Sequence, residues 1–104
     1  MEVIFNTDKN IEGKERIENY FKSEIKEDLD RFSDRVTRIE VHLSDENGAK
    51  KGENDKKCVL EARPEGLKPV AVTAFDSSIE KAISGATQKM KSSLTKLMGK
   101  LQDY

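Results

Sequence analysis

Residues 38–70 read RIEVHLSDENGAKKGENDKKCVLEARPEGLKPV, and two alternating runs in this stretch predict a charged β-hairpin. Before Ser44, apolar side chains alternate with charged ones, as in a strand with one buried and one solvated face. A second alternating run follows Asp55. Placing Val41 and Cys58 together on the buried face sets two exposed cross-strand pairs, Arg38 opposite Glu61 and His42 opposite Lys57.

Outward from the hairpin, the hydrophobic periodicity predicts four strands and two helices. We expect the strands at residues 2–6, 36–43, 57–63 and 69–75. The first helix, after Gly13, carries an apolar stripe that ends at Phe32, and the second helix begins near Ser77 with a longer stripe. Six residues on these stripes and strands form the predicted core: Phe21, Leu29, Ile39, Val41, Leu60 and Ile83.

The order of the elements, β-α-β-β-β-α, defines the expected fold class. A right-handed crossover through the first helix places strand one parallel to strand two, and both amphipathic helices must then cover the same sheet face. The prediction is an α+β two-layer sandwich, with a four-stranded sheet and two helices on one face, similar to double-stranded RNA-binding domains. At 104 residues, the chain is expected to form a single domain over residues 1–104.

Composition excludes several classes of protein. No apolar run approaches the roughly 20 residues of a membrane span, and the start of the chain lacks the basic and apolar regions of a signal peptide. The one cysteine, Cys58, has no partner for an internal disulfide. We therefore expect a cytoplasmic protein that does not enter a membrane.

The net charge of -1 hides an asymmetry between the two halves of the chain. Residues 1–55 carry 15 acidic against 10 basic side chains, while residues 56–104 carry 5 against 9. At about 100° per residue, four lysines of the second helix fall in one quadrant beside the apolar stripe, and a fifth lies on the other flank. They are ordinary solubilising residues or an RNA-phosphate site comprising Lys81, Lys89, Lys96, Lys100 and, on the other flank, Lys91.

The charged residues do not make a convincing catalytic or metal site. His42 and Cys58 are the only residues of their types, and the predicted register points them to opposite faces, which argues against a nucleophilic pair. One histidine and one cysteine fall short of a zinc set. The loop at residues 45–55 offers oxygen ligands for calcium, but lysines interrupt them and the EF-hand spacing is missing. We expect neither a catalytic residue nor a metal or other cofactor.

The order of residue types in residues 38–70, and the β-α-β-β-β-α pattern around it, resembles the ribosome hibernation promoting factor family. This family is also called the ribosome-associated inhibitor or sigma-54 modulation family, and the likeness is greatest to its short, single-domain members. The resemblance implies a translation-silencing factor that contacts ribosomal RNA on the small ribosomal subunit and occludes the messenger and transfer RNA channel. It implies no cofactor and no small-molecule substrate.

A second hypothesis keeps the fold but changes the partner. In this reading the chain is a protein-interaction or stress-response module that does not bind ribosomes. Its binding surface is the charged face of the sheet, with Arg38, Glu40, His42, Glu61 and Arg63.

Overall fold

The computed structural model of the chain describes residues 1–46 and 54–102, the last two by their backbone alone. Four strands and two α-helices follow one another in the predicted order, with a short 3-10 helix after the first α-helix. Their bounds are β1 Glu2–Thr7, α1 Lys14–Asp28, the 3-10 helix Asp30–Phe32, β2 Val36–Asp45, β3 Lys56–Pro64, β4 Val70–Asp76 and α2 Ile79–Gln102.

The sheet has the strand order β1-β2-β3-β4. β1 is parallel to β2, and the other two pairings are antiparallel, so β2, β3 and β4 form a meander. The two helices contribute Ile25 and Ile83 to one core cluster, which also contains Val41 and Leu60 of the central strands. Both helices therefore cover one face of the sheet, and the predicted α+β sandwich is confirmed.

Five of the six predicted core residues are buried: Leu29, Ile39, Val41, Leu60 and Ile83. The prediction for Phe21 was wrong, because this residue is only partly buried and packs at the margin of the core. Its ring meets that of Tyr20 edge to face, with centroids 4.9 Å apart, and Tyr20 is 60% exposed. The apolar stripe of α1 is therefore less buried on the side where these two rings lie.

The first helix ends earlier than the stripe predicted. Leu29 leaves the helical region, with φ -108° and ψ 13°, and the chain tightens into the 3-10 helix. Leu29 and Phe32 both remain buried, since a spacing of three residues keeps side chains on one face in either kind of helix. Aspartate, serine and asparagine favour caps and turns over helix interiors, which fits a break in the sequence Asp28-Leu29-Asp30.

The predicted register of β2 against β3 was wrong by two residues. Arg38 lies opposite Arg63 rather than Glu61, and Glu61 lies opposite Glu40. The strands still present the predicted faces, because side chains alternate with a period of two and an even shift moves none of them across the sheet. An irregularity between Val36 and Arg38 accompanies the change.

The second helix approaches the sheet closely at Gly85. A Cβ atom added there would lie 3.3 Å from the Cβ of Ala74 in β4. A glycine facing an alanine therefore lets α2 settle onto β4. Since α2 has 24 residues, it forms a rod about 36 Å long that is anchored along one face of the sheet.

Candidate nucleic-acid interface

The lysines of α2 lie outside the core that anchors the helix. Ala82, Ile83, Ala86, Met90 and Leu94 are buried against the sheet. Lys81, Lys89, Lys96 and Lys100 are exposed, and Lys91 is half-buried. We call the first four the lysine row; it spans 20 residues, or about 28 Å along the helix axis.

One member of the lysine row is held against the sheet. The Lys89 ammonium donates a hydrogen bond to the backbone carbonyl of Thr73 in β4, at 2.7 Å. β4 is an edge strand, and a lysine on an edge strand carbonyl protects that edge from pairing with another chain. A phosphate contact by Lys89 must compete with this bond, so the other three lysines are freer to reach a partner.

Within residues 1–46 and 54–102, no ion pair neutralises the charge of the lysine row. Glu80 is the only acidic residue between Ser77 and Gln102. The ion pairs among residues 1–46 and 54–102 lie on the sheet and at the base of the hairpin, and none of them includes a lysine of α2. Uncompensated positive charge along a rigid helix is suited to a polyanion.

The sheet face opposite the helices carries a compact network of two arginines and two glutamates. The Arg38 guanidinium lies 3.3 Å from Glu40 Oε2, and Arg63 lies 3.5 Å from the same oxygen. Arg63 also bonds Glu61 at 2.7 Å. Arg38 lies directly opposite Arg63 across β2 and β3, and Glu40 lies directly opposite Glu61. Each of these like-charged pairs has opposite charges beside it, either two residues along the same strand or diagonally on the neighbouring strand. The network is therefore neutral, although Arg38 Nε, Glu40 Oε2 and Arg63 Nε are buried without a hydrogen-bond partner.

His42 and Cys58 do not form a pair. His42 is half-buried on the open sheet face and lies opposite Val59, not opposite Lys57 as the sequence predicted. Cys58 lies on the helix-covered face, and burial raises the pKa of its thiol to about 12. A thiol in this environment stays protonated at neutral pH and behaves as a small apolar side chain.

Acidic residues at the base of the hairpin are bound by a lysine. The Lys56 ammonium lies 3.1 Å from carboxylate oxygens of both Asp45 and Asp55. The hydrogen bonds that the ammonium donates to these carboxylates, the one to Asp45 first, raise the pKa of Lys56. Of the other oxygen ligands that this loop offers for calcium, Glu46 pairs with Lys57 at 3.3 Å, while Asn47 and Glu53 lie outside the described residues. In the part of the chain that is described, no three His, Cys, Asp or Glu side chains are grouped to hold a metal ion.

A cleft between the 3-10 helix and α2 was missed by the sequence analysis. It measures about 450 Å³, and its lining includes Arg31, Arg35 and Thr95. Arg31 lies near the end of the apolar stripe predicted for the first helix. Its hydrogen bond to Thr95, 64 positions away in the sequence, depends on how the chain turns after α1. The only signal in the sequence is the Arg-Phe pair at 31–32, which by itself does not indicate a cleft.

The fold is a small α+β domain in which one four-stranded sheet carries both helices on one face. Residues 4–102 match the profile of the family described as "Sigma 54 modulation protein / S30EA ribosomal protein". The chain belongs to this family of ribosome-associated factors, which is not known as a family of enzymes. Among curated proteins, none matches the chain significantly.

Two solved structures share the fold. One is the N-terminal domain of Protein Y from Thermus thermophilus, with a TM-score of 0.66, 21% identity, and coverage of 92% of this chain and 94% of that one. The other is a ribosomal subunit interface protein from Coxiella burnetii, with a TM-score of 0.67, 14% identity, and coverage of 95% and 99%. Among the described residues, no helix is both long and apolar enough to cross a membrane.

Proposed function

We propose that this protein is a cytoplasmic hibernation factor that binds the small ribosomal subunit through ribosomal RNA. Bound there, it occludes the channel used by messenger and transfer RNA and so silences translation. The observation that carries the proposal is the uncompensated lysine row of α2, on a chain that belongs to a ribosome-associated family. Residues 1–104 act as one domain in this proposal.

The mechanism is steric and needs no chemical step. Lysine ammonium groups replace counterions on RNA phosphates, and release of those counterions drives binding. The anchored helix keeps the spacing of the lysines fixed, so little order has to be created when the RNA binds. Once the domain occupies the channel, messenger and transfer RNA are excluded by its volume.

The first helix contributes little to this surface. Its exposed positions mix Glu15, Glu27 and Asp28 with lysines, so its field has no consistent sign. One of its acids, Glu18, is used within the fold, since it accepts a hydrogen bond from Thr7 of β1 at 3.0 Å. The proposal therefore assigns the RNA contacts to α2.

Ribosome co-sedimentation of charge-reversed variants tests the proposal. The test variant changes Lys81, Lys89, Lys96 and Lys100 to glutamate. The matched control changes four exposed lysines elsewhere to glutamate and so has the same net charge: Lys9, Lys14, Lys22 and Lys26. We expect the test variant to lose the small subunit and the control to retain it.

Salt dependence provides a second measurement on the unaltered protein. Four neutralised phosphates imply a slope of about -3 to -4 in a plot of log affinity against log salt, depending on the form of the RNA. The proposal fails if the unaltered protein never co-sediments with small subunits. It also fails if the two four-lysine variants bind equally well, because the lysine row is then only a solubilising face.

A protein-interaction role on the sheet face is the second candidate function. Phe75 supports it, because this aromatic side chain is 51% exposed on the open face beside Lys57, whose ammonium lies 5.7 Å from the ring centroid. Aromatic residues and arginines are enriched at protein interfaces, and the Arg38 and Arg63 guanidiniums lie on the same face. This role would be favoured if the unaltered protein does not co-sediment with ribosomes but retains a co-purifying protein that the Phe75→Ala variant loses.

A further inference from the structure

The cleft between the 3-10 helix and α2 has a size and lining typical of ligand sites. Its volume of about 450 Å³ falls in the range of about 300–1,000 Å³ seen for such pockets. Phe32 and Met98 give it apolar surface, and Arg31, Arg35 and Asp34 give it charge. A smaller depression of about 230 Å³ continues from it, sharing Arg35 and Met98.

Arg31 is oriented at this cleft by two contacts. Its guanidinium carbon lies 4.7 Å from the centroid of the Phe32 ring. Its Nη2 donates a hydrogen bond to the hydroxyl of Thr95. That hydroxyl in turn donates to the backbone carbonyl of Lys91, at 2.7 Å. A surface arginine usually samples many rotamers, and the contacts with the Phe32 ring and with the Thr95 hydroxyl favour this one.

We infer that the cleft receives one unstacked base of a single-stranded RNA segment, a conclusion that rests on the proposed RNA-binding function. A guanidinium plane is a stacking partner for a base, and stacking of this kind tolerates any base because every base has a π-face. Met98 supplies apolar contact beside it. The Arg35 guanidinium, which also lines the cleft, provides positive charge for a phosphate next to the base.

Asp34 decides which part of the RNA enters the cleft. Its carboxylate repels a phosphate, so a bare phosphate is a poor ligand for the cleft even with two arginines present. The same carboxylate accepts hydrogen bonds from an exocyclic amino group, as an acidic side chain does with cytosine. Adenine offers such an amino group and also a larger π-face for stacking than uracil does, so adenine is preferred to uracil.

Gly99 provides a way to close the cleft without disturbing the fold. It lies in α2 on the wall of the cleft, and a Cβ atom added there would meet nothing within 4 Å. A larger side chain at this position projects into open space and is more favourable in a helix than glycine. Gly99→Leu therefore fills the cleft, and Arg31→Lys keeps its charge but removes the planar group.

Fluorescence anisotropy with labelled RNA hexamers at low salt tests the inference. Three probes are compared: oligoadenylate, oligouridylate and an abasic hexamer with the same phosphates. We expect the unaltered protein to bind oligoadenylate at least about five-fold more tightly than the abasic hexamer, which is the low end for one stacked base. Oligouridylate should lie between them. In the Gly99→Leu and Arg31→Lys variants, the ratio of the affinity for oligoadenylate to the affinity for the abasic hexamer should fall to about one.

The control is Ser84→Leu, which adds the same side chain at an exposed position of α2 about 22 Å from Gly99 along the helix axis. It should keep the five-fold ratio. The inference is overturned if the unaltered protein binds the abasic hexamer as tightly as oligoadenylate, if no hexamer binds, or if Gly99→Leu keeps the ratio. Ribosome co-sedimentation is scored separately. Co-sedimentation without base discrimination refutes the cleft alone, and discrimination without co-sedimentation refutes the ribosomal function alone.

Discussion

Truncation of Leu60 to alanine tests the packing of the central strand. Leu60 is fully buried in β3, opposite Val41 of β2 and Val72 of β4, and faces the helices. The substitution removes three carbon atoms, which at about 0.8 kcal/mol for each buried methylene is a transfer loss of about 2.4 kcal/mol. The neighbouring strands keep their hydrogen bonds and relax only in part, so a cavity adds to the loss. We expect a total of about 2 to 5 kcal/mol.

Urea denaturation followed by far-UV circular dichroism measures this loss. The midpoint should fall while the slope with denaturant stays unchanged, because the same surface is exposed on unfolding. A domain of this size has about 5–15 kcal/mol of stability, so the variant should remain folded, with a melting temperature lower by about 10 °C or more. Val59→Ala is the matched control on the open face of the same strand, and it should cost less. A loss below about 1 kcal/mol for Leu60→Ala would refute the assignment of this face to the core.

Three further outcomes are expected. Arg63→Ala should cost about 1 kcal/mol in low salt, because it leaves Glu40 and Glu61 directly opposed, and adding Glu61→Gln should recover part of that loss in a double-mutant cycle. Because burial raises the pKa of the Cys58 thiol to about 12, the unfolded chain releases this proton at a lower pH than the native one. The thiol's contribution to stability is therefore fully present below about pH 9 and declines as pH rises towards 12, and the difference in unfolding free energy between the unaltered protein and Cys58→Ala should show that decline. The lysine-row reversal should leave the far-UV spectrum unchanged while abolishing co-sedimentation with the small subunit; a change in the spectrum would contradict the placement of these lysines outside the core.

The sequence predicts the faces of the strands better than their pairing. Alternation assigns Val41 and Cys58 to the buried side, and both are buried. The same alternation is unchanged when one strand slides by two residues, so it does not distinguish Arg38 opposite Glu61 from Arg38 opposite Arg63. Opposite charges favour the first pairing by well under about 1 kcal/mol at an exposed site, which is too little to set the register. Packing of the buried side chains and the local irregularity near Val36 set it instead.

The end of α1 shows a similar limit. Leu29 and Phe32 are three residues apart, a spacing that suits an α-helix and a 3-10 helix equally well. Periodicity therefore predicts their burial and misses the change of helix type between them. Arg31 lies between these two residues, in the 3-10 helix, and donates a hydrogen bond to Thr95 of α2. The lysine row was visible in the sequence because it repeats along one helix, whereas the cleft joins residues that are far apart in the chain.

Charge compensation separates the two candidate surfaces in physical terms. On the open sheet face, Arg38 and Arg63 each have a glutamate oxygen within 3.5 Å, and the water-shielded Nε of Arg63 and Oε2 of Glu40 have no hydrogen-bond partner. A partner that contacts these groups would have to break existing ion pairs, so this network is less available for recognition than unpaired charges are. On α2 the lysines have no such pairs among the described residues, and their mutual repulsion is relieved when a polyanion binds. The charges of the sheet network are thus engaged with one another, whereas the lysines of α2 are the ones to which the proposed RNA contacts are assigned.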